Sequence, residues 1–156
     1  VRRDDEIVYI ERTSSGRAMM RVVNIVGARA PLHITAVGKL FLAEDSPQEN
    51  RGYAERTGLR GYTRNSITTL PDLEKVLTQV RIQGYATDEE EAELGVRCIG
   101  AGVRDDTGLL VSGLSISSPA ERMKPEWAAL VQETAIKISR AIGWQGQTTK
   151  ESVVPE

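Results

Sequence analysis

Two strand-like runs separated by Asp105, Asp106, Thr107 and Gly108 constrain this chain more than any other feature of it. Small and apolar residues alternate over 95–104, GVRCIGAGVR, and over 109–117, LLVSGLSIS, and the Asp-Asp-Thr-Gly between them has the composition of a hairpin turn. Successive strand side chains point to opposite faces, so Val96, Cys98, Gly100 and Gly102 share one face and Arg97, Ile99, Ala101 and Val103 the other. In the second run Gly113, Ser115 and Ser117 lie opposite Ser112, Leu114 and Ile116. One face of the hairpin is therefore apolar and suited to a helix, while the other offers Cys98, Ser115, Ser117 and little bulk. Such a small-residue face either leaves a hollow where thiol and hydroxyl groups orient a small polar ligand, or is simply solvated.

Helical spacing fills the middle of the chain. Val37, Leu40 and Phe41 fall on one side of a helix over 35–43, for which Thr35 is the N-cap. Ser46, Pro47 and Glu49 compose a capping box with proline in the first turn, starting a second helix that runs to about Thr57. Residues 57–66, TGLRGYTRNS, read as loop or short edge strand. Thr69 and Asp72 begin a third helix, whose stripe of Leu73, Val76, Leu77 and Val80 ends at Gly84. Trp127, Leu130, Val131, Thr134, Ile138, Ala141 and Ile142 mark a long C-terminal helix, followed by a polar tail over 145–156. At the other end, 7–13 and 18–26 read as two antiparallel strands joined by a Gly-containing turn. Strands near both ends with helices between them predict an α+β fold, an antiparallel or mixed sheet with helices packed on it.

At 156 residues, 40% apolar and 27% charged, the chain is sized for one domain, which buries roughly 70% of the surface its unfolded form exposes. A net charge of −2 gives no field for holding a polyanion, so any contact with DNA belongs to something outside these residues. One cysteine can form neither an internal disulfide nor a zinc clip, which fits a reducing cytoplasm. No apolar run approaches the ~20 residues that cross a bilayer, so no membrane partner is expected. The chain opens directly into a strand pattern without a methionine, which predicts a piece of a longer polypeptide.

Most reactive chemistry lacks its parts. The single histidine, His33, has no G-x-S-x-G or other nucleophile motif beside it and reads as structural. One histidine and one cysteine cannot close a zinc or iron site, so no metal and no cofactor are expected. Asp88, Glu89, Glu90, Glu91 and Glu93 do not follow the order of a calcium loop and read as a solvated charge run. Gly100-Ala101-Gly102 lacks the third glycine and following helix of a dinucleotide site, and Val37-Gly38-Lys39-Leu40 lacks the first glycine and the hydroxyl of a phosphate loop. Cys98 has no paired histidine to lower its pKa, and its default is an inert side chain.

In order, RAPLHITAVGKLFLA from Arg29, GYATDEEEAELGVRCIGAGVRDDTG from Gly84 and VSGLSISSPAERM from Val111 resemble the C-terminal effector-binding domain of IclR-family bacterial transcription regulators. The resemblance runs from about Ile7 to Gly143, and Gly84, Asp88, Glu91, Cys98, Gly100, Val103 and Asp105 follow the family's signature spacing. Arg104 departs from it, standing where an aromatic residue or histidine is preferred. The resemblance implies a GAF-like fold: a central antiparallel sheet of about six strands with helices on one side and a ligand pocket on the other. It implies an effector-binding domain over 1–144, a tail over 145–156, and an N-terminal winged helix-turn-helix domain that this chain does not contain.

It further implies an effector site in which the amides of Ala36 and Val37 receive an oxygen of the ligand, at a helix N-terminus that favours an anion. Asp88, Cys98, Ser115 and Ser117 complete the polar contacts and Val96 is an apolar wall. A carboxylate beside an anion repels it unless protonated or bonded to a hydroxyl, so Asp88 points to a keto-, hydroxy- or aromatic acid. The plainer alternative is that Asp88 caps the turn after its strand. The expected function is effector sensing and oligomerisation, as a homodimer or tetramer, without catalysis, with operator DNA bound only through the missing domain. The alternative is an enzyme acting on a small organic acid through Cys98 or Asp88.

Overall fold

The computed structural model describes residues 1–14 and 26–146. Among them the chain forms β1 (Arg2–Arg3), β2 (Glu6–Val8), β3 (Arg29–Pro31), α1 (Ala36–Glu44), α2 (Pro47–Thr57), α3 (Leu70–Gln83), β4 (Ala86–Glu89), β5 (Val96–Arg104), β6 (Leu110–Pro119) and α4 (Trp127–Ala141). The class is α+β, as the order of elements predicts. The six strands divide into two three-stranded antiparallel sheets, β1-β2-β3 and β4-β5-β6, where one central sheet was expected. The first sheet is made of two- and three-residue strands, and Pro31 ends it with a residue that has no N–H for a further ladder bond. The hairpin expected over 7–13 and 18–26 lies largely outside the described residues; Ile7 and Val8 pair instead with β1 and β3. The tail beyond Gly146 also lies outside them.

Local chemistry sets the helix boundaries. Thr35 Oγ1 accepts the Gly38 amide at 3.2 Å and starts α1. Ser46 and Glu49 exchange both bonds of a capping box, at 3.2 and 2.7 Å, to start α2. Thr69 accepts the Asp72 amide to start α3, which stops at Gly84 with φ 77, a left-handed turn that glycine adopts without a Cβ penalty.

Helices lie on both faces of the second sheet. Ile99, Ala101 and Val103 pack with Ala128, Val131 and Ala135 of α4 in one core, joined by Leu114 and Ile116, so the apolar hairpin face receives a helix as its alternation requires. Across the sheet a larger core joins Ile7 of the first sheet, Val37, Leu40 and Phe41 of α1, Leu73, Leu77 and Val80 of α3, and Ala86 and Leu110 of the second sheet. The expected division, helices on one side and a pocket on the other, is therefore corrected: α1 occupies part of the small-residue face. The glycines make the room. A Cβ on Gly113 would stand 2.6 Å from Val37 Cγ1, and one on Gly100 3.2 Å from Ala36 Cβ.

Candidate functional site

The β4-β5-β6 register lines up the residues singled out from the sequence. Asp88 pairs with Cys98 and Cys98 with Ser117, forming one row across three strands; the next row is Ala86, Gly100 and Ser115. Val96 pairs with Pro119 two residues further out. Ala36 and Val37 come down on the Gly100 row, with the Val37 amide nitrogen 3.4 Å from where a Gly100 Cβ would lie. Thr35 takes the Gly38 amide with its hydroxyl and the Lys39 amide with its carbonyl, at 3.1 Å, so the Ala36 and Val37 amides precede the helical ladder and have no partner within it. Cys98 sits two residues along the same strand face, about 7 Å away. A helix N-terminus thus meets a strip of one thiol and two hydroxyls, with Cys98 and Val96 half-buried and Ser115 and Ser117 exposed.

Asp88 is 3% exposed, and its Oδ1 accepts the amides of Glu91 at 2.7 Å and Ala92 at 3.4 Å. It caps the turn leaving β4, where Glu90 takes the left-handed φ of 60. Burial pushes its carboxyl up to about 6, the nearby Glu91 charge adding to the rise and the two amides opposing it. Cys98 Sγ lies 3.1 Å from Ser117 Oγ. Desolvation pushes this thiol up to about 12, and the Asp88 charge raises it further, so the sulfur stays a protonated thiol at neutral pH. This arrangement can donate hydrogen bonds from a thiol, hydroxyls and helix amides, and can hold a carboxyl near its protonation point.

Two charged residues meet at this site that the sequence does not single out as site residues. Lys39, 2% exposed, donates from Nζ to Glu91 Oε2 at 2.7 Å and to the Thr87 carbonyl at 2.6 Å. Glu91, 5% exposed, also accepts the Glu89 amide at 2.8 Å, while its Oε1 is buried without a partner among the described residues. The expectation of a solvated carboxylate run is thus corrected for Asp88 and Glu91, which turn inward, Asp88 to accept the Glu91 and Ala92 amides of the turn and Glu91 to meet Lys39; Glu89 and Glu93 are exposed. The usable signal was Lys39 itself, one charge among the apolar neighbours Val37, Leu40, Phe41 and Leu42, which demands a buried counter-charge. Thr63 and Ser66 fasten the same turn, their hydroxyls donating to the Glu90 and Glu91 carbonyls at 2.7 Å each.

His33 is 1% exposed and structural. Its Nε2 faces the Arg60 carbonyl at 2.9 Å and so carries the proton, leaving Nδ1 to accept from the Tyr53 hydroxyl at 2.7 Å. Among the described residues no group of three or more His, Cys, Asp or Glu is placed to hold a metal, and no helix is long and apolar enough to cross a membrane. A cavity of about 730 Å³ lies at the far end of α1, lined in part by Arg2, Phe41, Glu44, Asp45 and Arg56. Its two arginines are already paired, Arg2 with Asp45 and Arg56 with Asp5, each at 2.8 Å, so the charges there close the fold on itself.

The family described as "Bacterial transcriptional regulator IclR C-terminal" matches residues 1–144. The HTH-type transcriptional regulator KdgR of Escherichia coli K12 is 39% identical over 145 residues, covering 90% of this chain and 55% of that protein. The HTH-type transcriptional repressor AllR of Salmonella typhimurium is 37% identical over 147 residues, covering 92% and 54%. The chain thus spans about half the length of these relatives. The crystal structure of the transcriptional regulator YaiJ superimposes with a TM-score of 0.85 at 33% identity, over 91% of this chain and 82% of that one. The inducer-binding domain of an Acinetobacter PobR double mutant, solved with 3-hydroxybenzoic acid, gives 0.80 at 28% identity, over 89% and 84%.

Proposed function

Because the chain belongs to the IclR family of bacterial transcriptional regulators, through their C-terminal domain, we propose that it senses a small organic acid at the α1 N-terminus and passes that state to a DNA-binding part of the regulator outside these residues. The observation that carries the reading is the seating of the Ala36 and Val37 amides on the glycine-lined end of the Asp88, Cys98 and Ser117 strip. Free amides at a helix start, with the helix dipole behind them, favour a carboxylate. The thiol and the two serine hydroxyls then suit keto, hydroxyl or phenol oxygens, with Val96 beside the apolar part of the ligand. A carboxyl at Asp88 that protonates near pH 6 tolerates an anion better than one ionised throughout. The ligand class agrees with the hydroxybenzoic acid bound by the PobR domain.

Binding shifts the regulator only so far as the acid prefers one of its states, and operator DNA must alter the acid's affinity by the same factor. The protein acts as a homodimer or tetramer, in the cytoplasm, and turns over nothing: a thiol held up to about 12 does not serve as a nucleophile. The relatives' names, regulators and repressors, support that reading.

A thermal-shift panel of keto-, hydroxy- and aromatic acids tests it. An acid present at a hundred times its dissociation constant should stabilise the chain by about 2.7 kcal/mol. The Ser115→Ala, Ser117→Ala double variant should lose most of that response while melting normally, because both hydroxyls are exposed. An unchanged response in the double variant would remove the strip from the site, and turnover of a stabilising acid would replace sensing with catalysis.

A further inference from the structure

Asp88, Glu91 and Lys39 form a buried cluster at the edge of the strip, and its charges do not balance. Lys39 donates to Glu91 at 2.7 Å and otherwise to the Thr87 carbonyl, so its charge is matched by Glu91. Asp88 is held by the Glu91 and Ala92 amides instead of a cation, and both bond to Oδ1. Oδ2 is thereby left for the strip, where Cys98 stands opposite in the ladder and shares a side-chain hydrogen bond with this carboxyl.

The other charges nearby leave that excess in place. Glu89 and Glu90 pair with Arg97, which alternation turns to the face of β5 away from Cys98. Asp72 and Lys75 of α3 line a groove at Thr87, which points away from Asp88 by the same alternation. Burial lowers the pKa of His33, the other titratable group that feels Lys39 and Glu91, so it is uncharged at neutral pH. Cys98 is a neutral thiol and Ser117 carries no charge. With Asp88 ionised, the cluster has one negative charge too many, on the side of the strip. A carboxylate received by the Ala36 and Val37 amides, about 7 Å along the strand from the Cys98 row, brings a second one within a Debye length. A proton on Oδ2 removes the clash and supplies an O–H donor for a keto, hydroxyl or phenol oxygen, which an ionised carboxylate cannot do.

We infer that the site binds its acid together with one proton, taken from solvent onto Asp88 Oδ2, so that the domain senses the undissociated acid and not its anion alone. The inference rests on the acid-sensing function proposed above and names what regulates it. Anion plus proton has the composition of the neutral acid, so occupancy follows the product of the two concentrations. Burial has already pushed Asp88 up to about 6 in the free protein, and a bound anion carries it further in the same direction. Binding therefore takes up protons above about pH 6, and affinity rises as the pH falls toward that value, by at most tenfold for each pH unit, then levels off.

Isothermal titration of this chain with pyruvate and with 3-hydroxybenzoate from pH 5.5 to 8, in buffers of different ionisation enthalpy, tests the inference. Both ligands stay ionised across that range, so any proton exchanged belongs to the protein. The dissociation constant should be several-fold lower at pH 6.5 than at 7.5, with proton uptake approaching one for each acid bound at pH 7.5. Asp88→Asn removes the charge and keeps an acceptor for the turn amides. It should bind the acid more tightly than wild type at pH 7.5, with no pH dependence and no proton uptake, whereas loss of a residue that only contacts the ligand weakens binding. Wild-type affinity that is flat with pH, proton uptake that persists in Asp88→Asn, or weaker binding by that variant at every pH would each overturn the proton link. Binding without proton exchange would remove this inference alone; no binding by any acid of the panel at any pH would remove the sensing function and this inference with it.

Discussion

Asp88 carries its strongest consequence in its protonation. Its oxygen caps a turn and its burial raises the carboxyl from 3.8 to about 6, so the folded state prefers the protonated form that the unfolded chain gives up near pH 4. The folded state therefore binds more protons between those values, and this group's contribution to stability falls as pH rises from about 4 to about 6 and stays low above. At about 1.4 kcal/mol for each pH unit of displacement the loss is on the order of 2–3 kcal/mol. His33 works in the other direction: burial lowers its pKa, so its contribution is complete at neutral pH and falls as pH drops below 6.5. The two overlap, and Asp88→Asn separates them, because an amide oxygen still accepts the Glu91 and Ala92 amides without bringing a charge inside. The variant should be more stable than wild type by about 2 kcal/mol at pH 7.5, with the gap closing toward pH 4, in urea unfolding measured across that range. A gap that did not change with pH would mean that Asp88 is not the titrating group.

At the scale of elements, glycine on two strands decides where α1 can sit. Gly113 leaves the space that Val37 fills, and Gly100 the space under Ala36. Gly113→Ala puts a methyl into the valine at 2.6 Å, and the helix start must lift; the cost should be about 1–3 kcal/mol, with a matching loss of acid response because the amides move with the helix. Val37→Ala in the same chain should recover part of both. If Gly113→Ala melted and bound as wild type does, the close approach would play no part in shaping the site. Much of this was legible from the residues. Strand alternation assigned the two hairpin faces, and three N-caps set the starts of α1 to α3 while Gly84 set the end of α3, because each is decided within a few residues of chain. That α1 covers part of the small-residue face was not legible, since no local pattern says which helix returns to which sheet. Nor was the inward turn of Glu91 legible: in Asp-Glu-Glu-Glu every position has the same solvated default, and only Lys39, 52 residues earlier, selects which carboxylate goes in. The candidate site residues were readable as one strand face plus one helix start, but their meeting depends on that long-range packing.

For the whole molecule, the Lys39–Glu91 pair ties the parts together. Helix α1 touches β2 of the first sheet, all three strands of the second, and α3. Lys39 reaches from its middle to the Thr87 carbonyl of β4 and to Glu91, while Thr63 and Ser66, between α2 and α3, hold the same turn by its carbonyls. Both charges are almost fully buried, so their attraction is weakly screened, but neither would tolerate losing the other. Lys39→Met leaves a buried carboxylate facing an apolar side chain, with its second oxygen already unpartnered, and should cost about 3–5 kcal/mol; Glu91→Leu strands the ammonium and should cost a similar amount. The double variant removes both charges and fills the space with apolar atoms, and should regain most of the loss in urea unfolding, leaving a coupling of several kcal/mol between the positions. Because the pair lies beneath the α1 N-terminus and beside Asp88, the double variant should keep the fold yet respond less to stabilising acids, having lost what fixes the helix start over the strip. Additive losses in the double variant would show that the two residues stabilise different parts of the molecule, and that α1 is held over the second sheet by its apolar packing alone.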